Sequence, residues 1–482
     1  LRKLPLVMVF SGATFLFYFL PLFLCIYFLA DTRYKNGVIL AGSMLFSAWS
    51  APRFLFVILG TTVADYYVVQ MMDRSTSETG RKTLLIASVS INLGLLFYFK
   101  YCGFFIENIN AALQSLGAKS VSWTAVALPV GISFYTFETI TYVADVYRRV
   151  HKPLTNFGQY LLYIIFFPKL IAGPIIRFHE FAAQITGHLQ GDTYERRLRG
   201  FTRFVLGLSK KVLIANALGT IADDIFSIND FHRIDTATAW TGALAYTFQI
   251  YFDFSGYSDM ALGLGQIMGF SLPENFNNPY TATSITDFWR RWHMTLGAWM
   301  RNYLYIPLGG NRTGSNWRLY FNLWIVFVAS GLWHGAAWAF LIWGMYHGLF
   351  LVLERAIRLR PPSLGGVLPV VYSFVVVAVG WVFFRLEAVE PSIVYISRMF
   401  QWYPANHLWF PEADCLPMFI IAGVFSFFTL APAGMRVQQH VYYNPWGNKM
   451  HIFMTVITLV LLALCAFRIT SGDFNPFIYF RF

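Results

Sequence analysis

The length of its apolar runs constrains this chain more than any other feature. Val7–Ala30 holds no charged side chain, and Phe54–Met71, Leu84–Tyr101, Trp240–Tyr251, Leu319–Leu332, Ala336–Leu353 and Ile452–Phe467 are predominantly apolar. Several reach the ~20 residues that cross a bilayer. Only 12% of the 482 residues are charged, against about 25% in soluble domains. Inside lipid, each such run must satisfy its own backbone groups, which makes it a helix. The expected fold is an all-α polytopic membrane protein with roughly 11 transmembrane helices on this length arithmetic. Gln, Tyr and Gly interrupt many of the later runs, and irregular backbone at membrane depth persists only against protein or a cavity. An irregular ring of helices around a cavity is therefore expected, with re-entrant or interfacial pieces. The first run is too long, and too well integrated with the next segments, for a cleaved signal peptide.

With no low-complexity linker and no clean repeat, the chain reads as one membrane domain over residues 1–482. Residues 1–122 form an N-terminal transmembrane block and 123–385 a core that holds the motifs below. Residues 386–482 form a C-terminal pair of spans with an aromatic tail. The net charge of +12 follows the positive-inside bias and gives no sign of nucleic-acid binding. Basic clusters such as Arg177–Lys211, Arg290–Arg318 and Arg436–Lys449 are assigned to the cytoplasm, and by parity the tail Arg468–Phe482 lies outside. Cys25, Cys102, Cys415 and Cys465 are scattered without a CxxC spacing. They support neither a disulfide framework nor a zinc site, and no metal is expected.

Two histidines stand in this apolar setting. His293 ends Asp287-Phe-Trp-Arg-Arg-Trp-His293, and His334 lies in Ser330-Gly-Leu-Trp-His334-Gly-Ala-Ala-Trp338. Ionisable groups at membrane depth are costly and tend to be functional, and imidazole moves protons near neutral pH. Trp338, four residues after His334, is expected on the same helix face. Gly331 and Gly335 would leave room there for a substrate or a neighbouring helix. The alternative for each histidine is a buried ring bonded to a backbone carbonyl. His347 falls about 220° further round a continuous helix and is read as structural.

Tyr251-Phe-Asp253-Phe-Ser255-Gly-Tyr257-Ser258-Asp259 sets carboxylates and hydroxyls in an apolar segment. Asp253 and Tyr257 either orient a histidine or join helices. Leu272–Trp317 is too polar to span and is expected to contain a short interfacial or re-entrant helix, followed by a turn at Gly309–Gly314. Phe167-Pro168-Lys169 and Gly173-Pro174 break a helix, lining a tunnel or only kinking it. Arg177, Arg290 and Arg291 would contact donor phosphates or simply hold the interface. Dinucleotide, P-loop, esterase and metalloprotease signatures are missing from the sequence.

Together with Pro129-Val-Gly-Ile-Ser-Phe134, Leu170-Ile-Ala-Gly-Pro174, Glu274-Asn-Phe-Asn277 and Tyr303-Leu-Tyr-Ile-Pro-Leu-Gly-Gly-Asn311, these motifs resemble the membrane-bound O-acyltransferase (MBOAT) family, and most of all its alginate O-acetylation branch. The likeness runs nearly end to end. It implies helices around a funnel or tunnel that an acyl thioester such as acetyl-CoA enters from the cytoplasm. It also implies His334 as catalytic base and His293 as its polar partner, hydrogen-bonding the donor or the oxyanion. Asp253, Tyr257, Trp338 and Asn311 would support substrate or histidines. The implied setting is a bacterial inner membrane and a polysaccharide synthesis complex, with the acetyl group passed to an extracytoplasmic SGNH-hydrolase-like acetyltransferase.

The ending Phe477-Ile-Tyr479-Phe-Arg-Phe482 is similar to aromatic endings of accessory peptides in D-alanine transfer. Tyr479 is accordingly a candidate acyl relay, its alternative being an aromatic anchor at the interface. Peptidoglycan O-acetylation and D-alanyl transfer to teichoic acid use the same chemistry and stay open. A proton-coupled transporter or flippase is the reading from a different class, although no repeat symmetry favours it.

Overall fold

The computed structural model describes residues 8–50, 52–124, 126–129, 131–187, 189, 192–312, 314–357, 366–404, 415–472 and 477–478. Among these the secondary structure is helical, without a strand, as the apolar runs require. Five helical segments are long and apolar enough to cross a membrane: Pro52–Arg74, Glu78–Ser115, Tyr194–Phe226, Leu368–Leu386 and Asn448–Ser471. A sixth candidate, Cys415–Leu430 with Pro432–Tyr442, bends by 95° at its break. The sequence-based number of roughly 11 includes further runs that are helical here but shorter or less apolar. Phe15–Leu29 has too few residues. Asn316–His334 and Trp338–Ala356 are rich in Trp, Tyr and His, which lower their hydropathy.

Two compact units gather the described residues. The first comprises Leu1–Arg197 and Leu264–Leu272. Its helices Pro52–Arg74 and Glu78–Leu96 are joined by Asp65, whose carboxylate accepts from Ser88 Oγ at 2.5 Å and Asn92 Nδ2 at 2.9 Å. Polar groups facing away from water need such partners. The helix Phe157–Ile165 stops at Phe166 and a short turn Phe167–Leu170 follows. The proline-rich motif breaks the helix as expected. Its Lys169 is buried and paired with Glu138 of the helix Ile132–Tyr147.

Leu198–Gly263 and Pro273–Phe482 make up the second unit. Its centre is the 32-residue helix Thr236–Ile267. The polar stretch after it forms extended backbone and then the short helices Ile285–Arg291 and Met294–Trp299, in keeping with its being too polar to span. Ser284 caps the first of these, its hydroxyl accepting from Asp287 N–H at 3.0 Å. The buried Glu354 carboxylate accepts from the N–H groups of Ile285 at 2.6 Å and Thr286 at 3.0 Å.

One helix pair overturns the sequence reading. His334 does not share a helix with Trp338; it is the last residue of Asn316–His334. Gly335 and Ala337 are extended, and Trp338 begins the next helix, Trp338–Ala356. Trp338 is half exposed (52%), so the four-residue spacing does not place it on a helical face with His334. The turn at the break is tight enough to need a glycine, since a Cβ on Gly335 would lie 2.0 Å from the Phe340 ring. The room left by the glycines is filled by the neighbouring helix. A Cβ on Gly331 would lie 2.4 Å from Phe340 O, and one on Gly344 would lie 2.3 Å from Phe327 O. Backbone oxygens cannot swing aside as side chains do. Gly344→Ala is therefore expected to destabilise the protein by about 1–3 kcal/mol, measured as a lowered melting temperature in detergent. An unchanged melting temperature would show that the two helices are free to separate.

Candidate functional site

His293 sits between the two short helices with φ 45° and ψ 52°, a left-handed conformation. For a residue with a Cβ this costs roughly 1–2 kcal/mol, so surrounding bonds must hold it. Asn275 supplies them. Its backbone oxygen accepts from Met294 N–H at 2.9 Å. Its side-chain oxygen lies 3.0 Å from His293 Nδ1 and 2.9 Å from Thr295 Oγ1. Asn275 and His293 are each 1% exposed, so each bond forms without competition from water.

The segment carrying Asn275 is anchored one residue earlier. Glu274 receives two bonds from the Arg203 guanidinium, at 2.7 and 2.6 Å. Arg203 also donates to Asp259 Oδ1 of the central helix at 3.0 and 2.9 Å, and Lys210 Nζ donates to Asp259 Oδ2 at 2.6 Å. Two cations thus meet two anions. Bidentate pairing of this kind fixes geometry as well as charge.

His334 is buried in an aromatic cage. Its ring centroid is 4.9 Å from that of Trp333, 5.0 Å from Trp343 and 5.3 Å from Phe384. The His293 ring lies 6.5 Å away, against Phe254 at 4.7 Å and Trp333 at 5.9 Å. Histidines 41 residues apart in sequence are thus brought together, their ring centroids 6.5 Å apart. Apolar rings on several sides make a low-dielectric site, where an imidazole pair can exchange protons with a bound group.

Asp253 faces a different task. Its carboxylate pairs with buried Lys211 at 2.7 Å and accepts from Ile478 N–H at 2.7 Å. Phe477 packs its ring 4.9 Å from Tyr257 and 6.1 Å from Phe254, and Phe254 is the ring in contact with His293. The chain just before Tyr479 is thereby docked on the central helix, one side chain from a histidine. Tyr479 itself lies outside the described residues.

The other expected site residues have surroundings of their own. Trp338 begins the next helix, as described above. Asn311 is exposed and accepts from Tyr305 Oη at 2.7 Å and Arg355 Nη1 at 3.4 Å. Arg291 is engaged by Asp287 at 3.0 Å, and Arg290 is exposed. Arg177 belongs to the first unit and pairs with Glu180. His347 is fully buried on Trp338–Ala356, between the rings of Trp289 and Trp343 at 5.1 and 5.3 Å. The residues that sequence reasoning missed are Asn275, Trp343, Phe384 and Arg203. Asn275 lies in a recognised motif, whereas the other three carry no local signal.

Breaking a buried ion pair by removing one partner strands the other charge. Asp253→Asn is therefore expected to cost about 3–5 kcal/mol of stability. Asp253→Leu combined with Lys211→Met should lie closer to wild type when melting is followed in detergent. A double variant worse than either single change would contradict the pairing.

Comparison with known proteins gives a consistent result. The sequence model of the membrane-bound O-acyltransferase family matches residues 14–362, which include both histidines. A probable alginate O-acetylase of Azotobacter vinelandii is 38% identical over 505 residues, covering 98% of this chain and all of the relative. A peptidoglycan O-acetyltransferase of Helicobacter pylori is 34% identical over 428 residues, covering 82% of this chain and 80% of that protein. A teichoic acid D-alanyltransferase of Bacillus subtilis is 30% identical over 233 residues, covering 46% and 58%.

Proposed function

The chain belongs to the membrane-bound O-acyltransferase family, and on that premise we propose that it moves an acetyl group from a cytoplasmic thioester across a bacterial inner membrane, for O-acetylation of an exported polysaccharide of the alginate type. That it is a multi-pass membrane O-acyltransferase follows from the family and the apolar helices. The alginate-type acceptor is taken from the near full-length relatives named as alginate O-acetylases. Acetyl-CoA is the proposed donor.

The observation that carries the reaction is the buried pair His293 and His334, 6.5 Å apart in an aromatic cage. Acyl transfer from a thioester needs a proton taken from the attacking hydroxyl and a proton given to the departing thiolate. Two neutral imidazoles can do both, and general-base help of this kind is worth about 10²–10⁴-fold. Excluding bulk water also protects the acyl group from hydrolysis.

Tyr479 is the proposed hydroxyl on this side of the membrane step. Its phenol oxygen would attack the thioester carbonyl and its proton would pass through the histidine pair to the thiolate. The resulting acetyl ester would be presented to an extracytoplasmic SGNH-hydrolase-like transferase within the polysaccharide synthesis complex. Support comes from the docking of Phe477 and Ile478 beside Phe254.

Peptidoglycan O-acetylation is the second reading, favoured by the Helicobacter pylori relative. It predicts acetyl loss from the cell wall in place of the exported polysaccharide.

The deciding measurement is the acetyl content of exported polysaccharide in cells carrying wild type, His334→Ala or His293→Ala, with protein abundance checked in the membrane. A fall of at least about 10²-fold in transfer at normal abundance is expected for either change. Unchanged acetylation would return both histidines to a packing role and move the transporter reading forward. For the relay, an acetylated Tyr479 peptide should be detected by mass spectrometry. Full transfer by Tyr479→Phe would exclude it.

A further inference from the structure

The bonds around Asn275 assign the protons of His293. The Asn275 side-chain atom at the centre of the cluster lies 3.4 Å from Thr295 N–H, a group that can only donate. That atom is therefore the amide oxygen, and the opposite Nδ2 is free to donate to Ser258 Oγ at 3.3 Å. An amide oxygen has no proton to give. His293 Nδ1, 3.0 Å from it, must then carry the ring N–H. In a neutral imidazole the other nitrogen is left as a bare lone pair. His293 Nε2 is buried and has no hydrogen-bond partner among the described residues. The imidazole ring packs against aromatic side chains, with the Phe254 ring in a T-shaped contact at 4.7 Å between centroids.

A neutral histidine in this tautomer has nothing to donate to an oxyanion from Nε2. The family resemblance leads one to expect such a donor at this position, and the geometry points the other way. Resting on the acyl-transfer reading above, we propose that His293 is the proton acceptor of the reaction and Asn275 the positioning residue that fixes its tautomer. Nε2 accepts first the hydrogen bond and then the proton of the attacking hydroxyl. The hydroxyl oxygen forms the new C–O bond to the thioester carbonyl carbon, and the C–S bond breaks with its electron pair on sulfur. Nε2 then gives the proton up, and it passes through the histidine pair to the thiolate. Throughout, Nδ1–H keeps its bond to Asn275, so the ring turns neither on charging nor on discharging. The left-handed backbone at His293 is part of the same device, because it lets Met294 N–H bond to Asn275 O at 2.9 Å while the side chain returns to the same residue.

Two measurements on the full chain test this. The first is nitrogen NMR of detergent-solubilised protein labelled with 15N at histidine, with His293→Gln used to assign the signals. The expected result at neutral pH is a protonated Nδ1 and an unprotonated Nε2. The opposite tautomer, or an imidazolium at neutral pH, would overturn the proposal. The second is the pH dependence of acetyl transfer by wild type and Asn275→Asp. A carboxylate beside Nδ1–H favours the charged ring and raises its pKa. An acceptor must be neutral to work, so activity is lost as pH falls through that pKa. The acid limb should therefore move to higher pH by about one unit or more, with the alkaline limb in place. A donor role as imidazolium would instead carry the alkaline limb upward. That outcome, or movement of neither limb, would overturn the assignment.

The labelling experiment uses the unaltered site, so it decides even where Asn275→Asp fails to accumulate. An active wild type with the reversed tautomer defeats this role alone. A wild type that transfers no acyl group defeats the acyl-transfer reading as well.

Discussion

Arg203 holds the second unit's least regular stretch in place. The backbone after the central helix cannot satisfy itself as a helix does, and it lies in apolar surroundings where unpaired polar groups are expensive. One guanidinium reaches both sides of the problem. It grips Asp259 on the central helix and Glu274 on the extended segment, and Lys210 completes the charge balance. Burying Arg203 and Asp259, with Glu274 and Lys210 half-buried beside them, is tolerable because the four formal charges cancel. With Glu274 fixed, Asn275 has one place to be. His293, Thr295 and Met294 then arrange themselves around it.

The polarity that excludes Leu272–Trp317 from spanning is accounted for by this arrangement. Asn275 orients a histidine, Ser284 caps a helix, and Thr286 donates to Glu354 at 2.7 Å. Each polar side chain replaces a hydrogen bond that a straight helix would have supplied from its own backbone. The sequence signal is a run of Asn, Thr and Ser inside an apolar chain. Its physical meaning is a stretch of non-helical backbone whose hydrogen bonds are completed by side chains.

That signal shows why some of the site is legible in the sequence and some is not. Helicity and membrane character follow from composition, and the cost of ionisable groups in apolar surroundings singles out His293 and His334, which the fold buries side by side. Asp253 and Tyr257, one turn apart in the sequence pattern, do lie on one continuous helix. The error at Trp338 has a different origin. A spacing of four residues implies a common face only if the helix continues, and here it ends at His334, with Gly335 and Ala337 extended and the Phe340 ring packed against Gly335. Periodicity carries no information about such a contact. Trp343 and Phe384 are invisible for the same reason, since they come to His334 from two other helices. At the arginines, charge alone does not reveal the partners that the fold supplies. Arg291 has Asp287, and Arg177 has Glu180.

The choice of an amide to orient His293 has a physical logic of its own. In many hydrolytic sites a carboxylate holds the histidine and stabilises its charged form. Here the carboxylates of the central helix are committed elsewhere, Asp253 to Lys211 and Asp259 to Arg203 and Lys210. A carboxylate against His293 would leave one uncompensated negative charge in an aromatic surrounding whenever the ring was neutral, a state that low dielectric penalises heavily. Asn275 offers the same directional acceptor without that charge. On the proposed role of His293, the resting site stays neutral and charge develops only when a proton is taken from the attacking hydroxyl. An interior this apolar therefore favours a weak, well-positioned base over a strong one, and supplies rate through geometry and exclusion of water.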